Sequence, residues 1–355
     1  MARVVTGLCP VPRNLTSPIY NSSMLPAAAP GEIDRAAQLL HAGRLIAFPT
    51  ETVYGLGANA LDADAVARIY AVKRRPATSP LIVHVASIEM AQSLVATWPA
   101  LADRLARRFW PGPLTLVLEK RLENQMEEHL VIPDIVTAGL PTVGLRMPAH
   151  PVALALIRAA GVPVAAPSAN RFTELSPTTA EHVRQSLGSD VDFILDGGPC
   201  QVGIESTVLS LADQELSENG LVLLRPGGVS RAALEAIVGT IASAPEVLTG
   251  AHPSPGLHPR HYSPRTPLYL VANGKVPDEG QGQGRGVYLQ HRHPPSRNNI
   301  IVIQMPQSAD GYAAMLYEAL HRADTQNHDW IAVDLPPATP EWEAIHDRLQ
   351  RAATK

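Results

Sequence analysis

Residues 46–85, "IAFPTETVYGLGANALDADAVARIYAVKRRPATSPLIVHV", hold the pattern that decides the fold. A short apolar run ends in a loop of Thr, Glu, Tyr and Gly. A helical period follows over 62–73, with Val66, Ile69 or Tyr70, and Lys73 on one face. The apolar side of that helix should pack inward while its last turn delivers the cation outward. Three consecutive cations and Pro76 close the helix, and "LIVHV" begins a second buried strand. Strand, helix and strand in this order describe an α/β unit.

The same alternation extends on both sides. "RLIAFPT", "LIVHV", "LTLVLE", "TVGLRM", "VPVAAPS", "FILDGG", "STVLSL" and "LVLLRPG" read as strands, being Val, Ile and Leu runs bounded by Gly or Pro. Residues 32–42, 62–73, 87–108, 151–160 and 178–187 read as helices, the third broken in two at Pro99. Residues 244–267 are rich in Pro, Gly and His and show neither period, which makes them a linker. Beyond them "LYLVA", "GVYLQ", "NIIVIQM" and "WIAVDLPP" alternate with helices at about 308–323 and 341–352. Tyr312, Leu316 and Leu320 form a core-facing stripe on the first of these, and parallel pairing is favoured. The division expected is an extension over 1–30, a main α/β domain over 31–228, a linker or lid over 229–266, and a smaller α/β, Rossmann-like domain over 267–355.

The chain has 355 residues, too many for one core, and its 45% hydrophobic and 17% charged content is that of a globular protein. Aromatics at 5% and a net charge of −4 argue against stacking platforms and strongly basic nucleic-acid faces. The two cysteines, Cys9 and Cys200, make neither a zinc ribbon nor a disulfide framework. No run of 18 apolar residues occurs, so no membrane span is expected and the cytoplasm is the natural compartment. Residues 1–30 contain Arg3 and Arg13 but no acid, and read as a disordered extension with a transit peptide as the alternative.

The polar residues form several small groups. "KRRP" (Lys73–Pro76) ends a helix, where the dipole favours cations, so alone it specifies no ligand. The rigid stop at Pro76 would nevertheless hold Lys73 and Arg75 at a fixed mouth. "PTETVYGLG" (Pro49–Gly57) reads as strand, loop and helix with two glycines at the turn, and it is no Walker loop. "APSAN" (Ala166–Asn170) offers Ser168 and Asn170 at the carboxyl end of a strand, the usual ligand crevice of open sheets. "GIESTVL" (Gly203–Leu209) places Ser206 at a strand start, and "VGLRMPAH" (Val143–His150) places Arg146 at a strand end. Each group taken singly also fits a turn or a cap. Together they describe a polar crevice with hydroxyls, cations and no evident nucleophile. His84 reads as a core histidine, and His291 and His293 as surface loop.

"PTETVYGLG", "IYAVKRRP", "SPLIVHV", "WPGPLTLVL", "VGLRMPAHP", "APSANRF", "GIESTVL" and "LRPGG" occur in this order over roughly 32–228. They resemble the YrdC-type threonylcarbamoyl-AMP synthases, and "SPGLHPRHYSP" with the domain after it resembles the long, two-domain subtype. The resemblance implies a twisted α/β sheet with helices around a basic cavity. It implies a nucleotidyltransferase that joins L-threonine, bicarbonate (or CO2) and ATP into threonylcarbamoyl-AMP, releases pyrophosphate and uses Mg²⁺. The product would serve a tRNA threonylcarbamoyl transferase complex, with direct tRNA binding left open.

By motif match the resemblance assigns Lys73 and Arg75 to catalysis. It assigns Arg75, Ser79, Thr142, Ser168, Ser176, Arg225 and Tyr262 to ATP, and Thr52, His84, Arg146 and Ser206 to threonine. Ser79 stands where the family commonly has Asn. Tyr262 would fold over the cavity as part of a lid. No metal ligands are identified; Glu51 and Glu205 are the acids nearest the motifs. Two other functions fit the same fold: a module holding double-stranded RNA in its basic concavity, and carbamoyl-AMP formation as in hydrogenase-maturation carbamoyltransferases, whose zinc-finger cysteines this chain lacks.

Overall fold

The computed structural model describes residues 28–121, 131–212, 220–244, 262–276, 284–297, 300–326 and 328–354. Residues 1–27 of the extension read over 1–30 and most of the segment 244–267 lie outside these residues, while the end of that extension is ordered, Ala28 being buried and Pro30 starting the first helix. The main unit runs α1 (Pro30–His41), β1 (Ile46–Phe48), β2 (Gly55–Asn59), α2 (Ala63–Lys73), β3 (Ile82–His84), α3 (Ile88–Ser93), α4 (Ala100–Phe109) and β4 (Leu114–Glu119). It continues with α5 (Asp134–Thr137), β5 (Thr142–Arg146), α6 (Pro151–Ala160), β6 (Val164–Ala165), α7 (Ala180–Leu187), β7 (Phe193–Ile194), β8 (Thr207–Ser210), β9 (Val222–Arg225), α8 (Arg231–Val238) and β10 (Ala242–Ser243). The second unit comprises β11 (Leu268–Val271), β12 (Gly286–Gln290), β13 (Ile301–Gln304), α9 (Ala309–Thr325), β14 (Trp330–Asp334) and α10 (Glu343–Ala352).

The large sheet is mixed, in the order β10-β9-β8-β4-β5-β3-β6-β2-β1-β7. The small one is wholly parallel, in the order β11-β14-β12-β13. The stripe of Tyr312, Leu316 and Leu320 is buried in the second core beside Ile331 and Val333. Pro99 separates α3 from α4 as its missing N–H requires. No helix among the described residues is long and apolar enough to cross a membrane.

Four readings of the sequence change here. The glycines of "YGLG" are not a turn: Gly55 and Gly57 lie in β2, antiparallel to β1. A Cβ on Gly57 would come within 2.7 Å of the Phe48 ring and 2.8 Å of Val164, so the glycines permit close strand packing. The turn is made upstream by Thr50, whose Oγ1 accepts from the Thr52 and Val53 amides (both 3.2 Å) and donates to the Val53 carbonyl. Second, the range 229–266 is not all linker, since α8 lies in it and β10 extends the sheet beside β9. Third, Lys73 does not point outward. It is 1% exposed, on the same face of α2 as buried Val66, Ile69 and Tyr70. Fourth, His291 is buried against Tyr312 and Trp342, and only His293 is partly exposed, beside Asp334.

Candidate active site

The strands that end at the crevice were remote in sequence and become neighbours through the sheet. In the parallel β3–β5 pair, His84 stands opposite Arg146. The turn after β1 brings Thr52 and Glu51 to the same place. Arg146 Nη2 lies 2.6 Å from Glu51 Oε1, and Glu51 Oε2 accepts from the Ala149 amide at 3.0 Å. The Arg146 Nε has no hydrogen-bond partner among the described residues. Burial first, and then the adjacent Arg146 charge, push His84 down to about 3, so its imidazole is neutral at physiological pH. The Thr52 hydroxyl meets that of Thr50 at 2.8 Å; because Thr50 already donates to Val53, Thr52 is the donor.

A second set of contacts is built on β8 and β9. Arg225, at the end of β9, donates through Nε and Nη2 to the Ser206 carbonyl (3.1 and 2.9 Å) and through Nη2 to its hydroxyl (3.1 Å). That hydroxyl is also 2.8 Å from the Thr115 hydroxyl. Arg75 follows the end of α2 and donates to the carbonyl and hydroxyl of Ser79 and to the Pro80 carbonyl. Burial lowers its pKa to about 10, which still leaves it charged at neutral pH. Lys73 Nζ donates to the carbonyls of Ser168 and Asn170, tying the "APSAN" turn to α2.

Thr52, His84, Arg75, Arg146, Ser168, Ser206, Arg225 and Tyr262 all line one cavity of about 50 Å³. Arg75, Arg146 and Arg225 line it against the single carboxylate of Glu205, so it is basic. Four expected residues sit behind or beside it. Lys73 holds the Ser168 turn, Ser79 is bound by Arg75, and Ser176 Oγ donates to Glu205 Oε1 at 2.6 Å. Thr142 lines a small neighbouring recess that shares Ile82 with the main cavity.

Sequence reasoning missed the contribution of the second unit. Tyr262, expected as a lid residue, is buried with φ +61°, but the surface beneath it was not foreseen: its ring lies over the Arg348 guanidinium at 5.1 Å. Arg348 on α10 pairs with Glu205, and Tyr317 on α9 also donates to it. A signal existed: Arg348 falls within the apolar stripe of Ile345, Leu349 and Ala352, where a solvated cation does not belong.

No group of three or more metal-ligating side chains occurs among the described residues. Glu51 and Glu205 are each matched by an arginine, so the residues present do not fit a protein-held Mg²⁺.

Residues 38–227 match the Sua5/YciO/YrdC family model, described as "Telomere recombination", and residues 229–354 match "Threonylcarbamoyl-AMP synthase, C-terminal domain". A threonylcarbamoyl-AMP synthase of Bacillus subtilis is 41% identical over 342 residues, covering 91% of this chain and 93% of that protein. One from Pyrococcus abyssi is 46% identical over 330 residues, covering 90% and 93%. The crystal structure of P. abyssi Sua5 complexed with L-threonine superimposes with a TM-score of 0.80 at 37% identity, covering 91% of this chain and 94% of that one.

Proposed function

Because the chain belongs to the two-domain Sua5/YrdC family of threonylcarbamoyl-AMP synthases, we propose that it condenses L-threonine, bicarbonate and ATP into threonylcarbamoyl-AMP with release of pyrophosphate. The observation that carries this reading is the shared cavity. It joins an arginine–histidine–threonine group to an arginine–serine group without any residue placed as a nucleophile.

The two groups suit the two halves of the product. Arg146, with Nε unpartnered, is suited to the threonine carboxylate, flanked by Thr52 and a neutral His84. Arg75, Arg225 and Ser168 are suited to the nucleotide, with Ser206 between the halves, bonded to Arg225. The carbamate oxygen formed from threonine and bicarbonate attacks the α-phosphorus, the bond to the β-phosphate oxygen breaks, and pyrophosphate leaves with that electron pair. Water is lost in forming the carbamate. Two anions must meet for this, and the buried arginines lower that cost at the cavity wall. Orienting the reactants can supply about 7–11 kcal/mol of the barrier, so no covalent intermediate is needed.

Mg²⁺ would enter as part of the Mg·ATP substrate. Transfer of the AMP group makes the enzyme a nucleotidyltransferase, and its reactive anhydride would be consumed by a tRNA threonylcarbamoyl transferase. Pyrophosphate release measured with L-threonine, with L-serine and with neither tests the reading. Release that needs threonine is expected, and release indifferent to the amino acid would overturn it.

A further inference from the structure

Glu205 is where the two units meet. Arg348, 1% exposed, donates through Nε to Glu205 Oε2 at 2.7 Å and through Nη2 to the Pro226 carbonyl at 3.0 Å, and Nη1 is bound by Asp347. The Tyr317 hydroxyl reaches both Glu205 oxygens, at 3.2 and 3.1 Å. From the first unit Ser176 donates to the same carboxylate, and the Tyr262 ring covers the guanidinium. The backbones are pressed together two residues upstream. A Cβ on Gly203, whose φ is +75°, would lie 2.5 Å from the Ala313 carbonyl oxygen and from the Ala314 Cα.

A buried carboxylate at the wall of a cavity that receives a triphosphate is a liability, because like charges repel strongly at intermediate dielectric. The cation in direct contact with it, Arg348, comes from the other unit, along with the surface on which Tyr262 rests, and Arg225 of the first unit adds a smaller attraction. We infer that Arg348 is a positioning residue for the nucleotide half of the site: docking of the C-terminal unit cancels the charge of Glu205 and seats Tyr262, so that affinity for ATP, and not for threonine, depends on this ion pair between units. The inference rests on the ATP reading above.

Arg348 leaves a mark that a purely structural residue would not, because its loss can be reversed by removing the charge it cancels. Full-length wild type, Arg348→Met and the double variant Glu205→Gln/Arg348→Met are titrated with Mg²⁺ and a non-hydrolysable ATP analogue, and separately with L-threonine, after melting curves show which are folded. Arg348→Met should bind the analogue about tenfold more weakly or worse, with threonine affinity within about twofold. The double variant should return to within about threefold of wild type for the analogue. Unchanged nucleotide binding in Arg348→Met, an equal loss for threonine, or a double variant as weak as the single one would overturn the inference. If Arg348→Met does not fold, the double variant decides alone: near-wild-type nucleotide binding is expected, and a tenfold loss overturns it. A wild type that binds no nucleotide removes the ATP reading and this inference together. Nucleotide binding without threonine-dependent pyrophosphate release removes only the synthase reading.

Discussion

Replacing Lys73 by methionine keeps the length of the stem and removes the cation that ties α2 to the "APSAN" turn. Two charge-assisted hydrogen bonds, to the Ser168 and Asn170 carbonyls, are lost. Each such bond contributes about 1.5–3 kcal/mol, and part of this is offset because a buried cation is no longer desolvated. That desolvation is substantial, since burial and then the adjacent Arg75 push the Lys73 pKa well down. A net loss of about 2–3 kcal/mol follows, a large fraction of an ordinary stability of about 5–15 kcal/mol but short of unfolding. The effect on chemistry is larger. Ser168 lines the cavity and is held from behind by Lys73, so the variant loses both a fixed donor and a nearby positive charge. Loss of one preorganised donor in such a site lowers kcat on the order of 10²–10³-fold. Threonine contacts built on Arg146 and Thr52 do not pass through this turn, so threonine affinity should stay within about threefold. Urea denaturation, initial rates of pyrophosphate release and threonine titration measure the three quantities. A kcat within threefold of wild type, or threonine affinity falling as far as kcat, would refute the placement of Lys73.

Arg146→Lys should raise KM for threonine about tenfold or more while KM for ATP stays within about threefold, because an ammonium cannot hold Glu51 and a carboxylate with a planar fork; matched rises in both constants would count against the assignment. Gly203→Ala should destabilise the chain by more than about 2 kcal/mol and separate urea unfolding into two transitions, since its Cβ collides with the backbone of α9; a single wild-type transition would contradict that contact. His321 stacks on His182 across the two units at 3.8 Å, and burial, then the His182 ring, lower its pKa to about 4. Its folded value lies below the ordinary 6.5, so the stability tied to its neutral form is present above pH 6.5 and is lost as pH falls toward 4, by about 3 kcal/mol at most. His321→Phe should flatten denaturation midpoints between pH 7 and 4.5, and an undiminished pH slope in that variant would refute the account.

Periodicity made much of the architecture legible, and the motifs supplied the candidate residues. "LTLVLE" is β4 residue for residue, and the break at Pro99 and the Tyr312 stripe lie where local chemistry puts them. What stayed hidden depends on long-range pairing. Gly55 and Gly57 look like a turn until Phe48 and Val164 are packed on β2. The direction of Lys73 is set by carbonyls nearly a hundred residues away. The neighbourhood of His84 and Arg146 exists only through the register of β3 with β5, some sixty residues apart. Arg348 was the hardest to see: its helix carries enough charge to look solvated, and its partner, Glu205, lies in the other unit.

If this cavity joins threonine, bicarbonate and the AMP part of ATP, the product itself carries the proof. The most direct measurement supplies ¹³C-bicarbonate, L-threonine and Mg·ATP to the full-length protein and identifies the adenylate by mass spectrometry. An adenylate containing threonine and one labelled carbon is expected, formed only when all three substrates are present and matched by one pyrophosphate per molecule. Pyrophosphate released at the same rate without threonine, and no labelled adenylate, would contradict it.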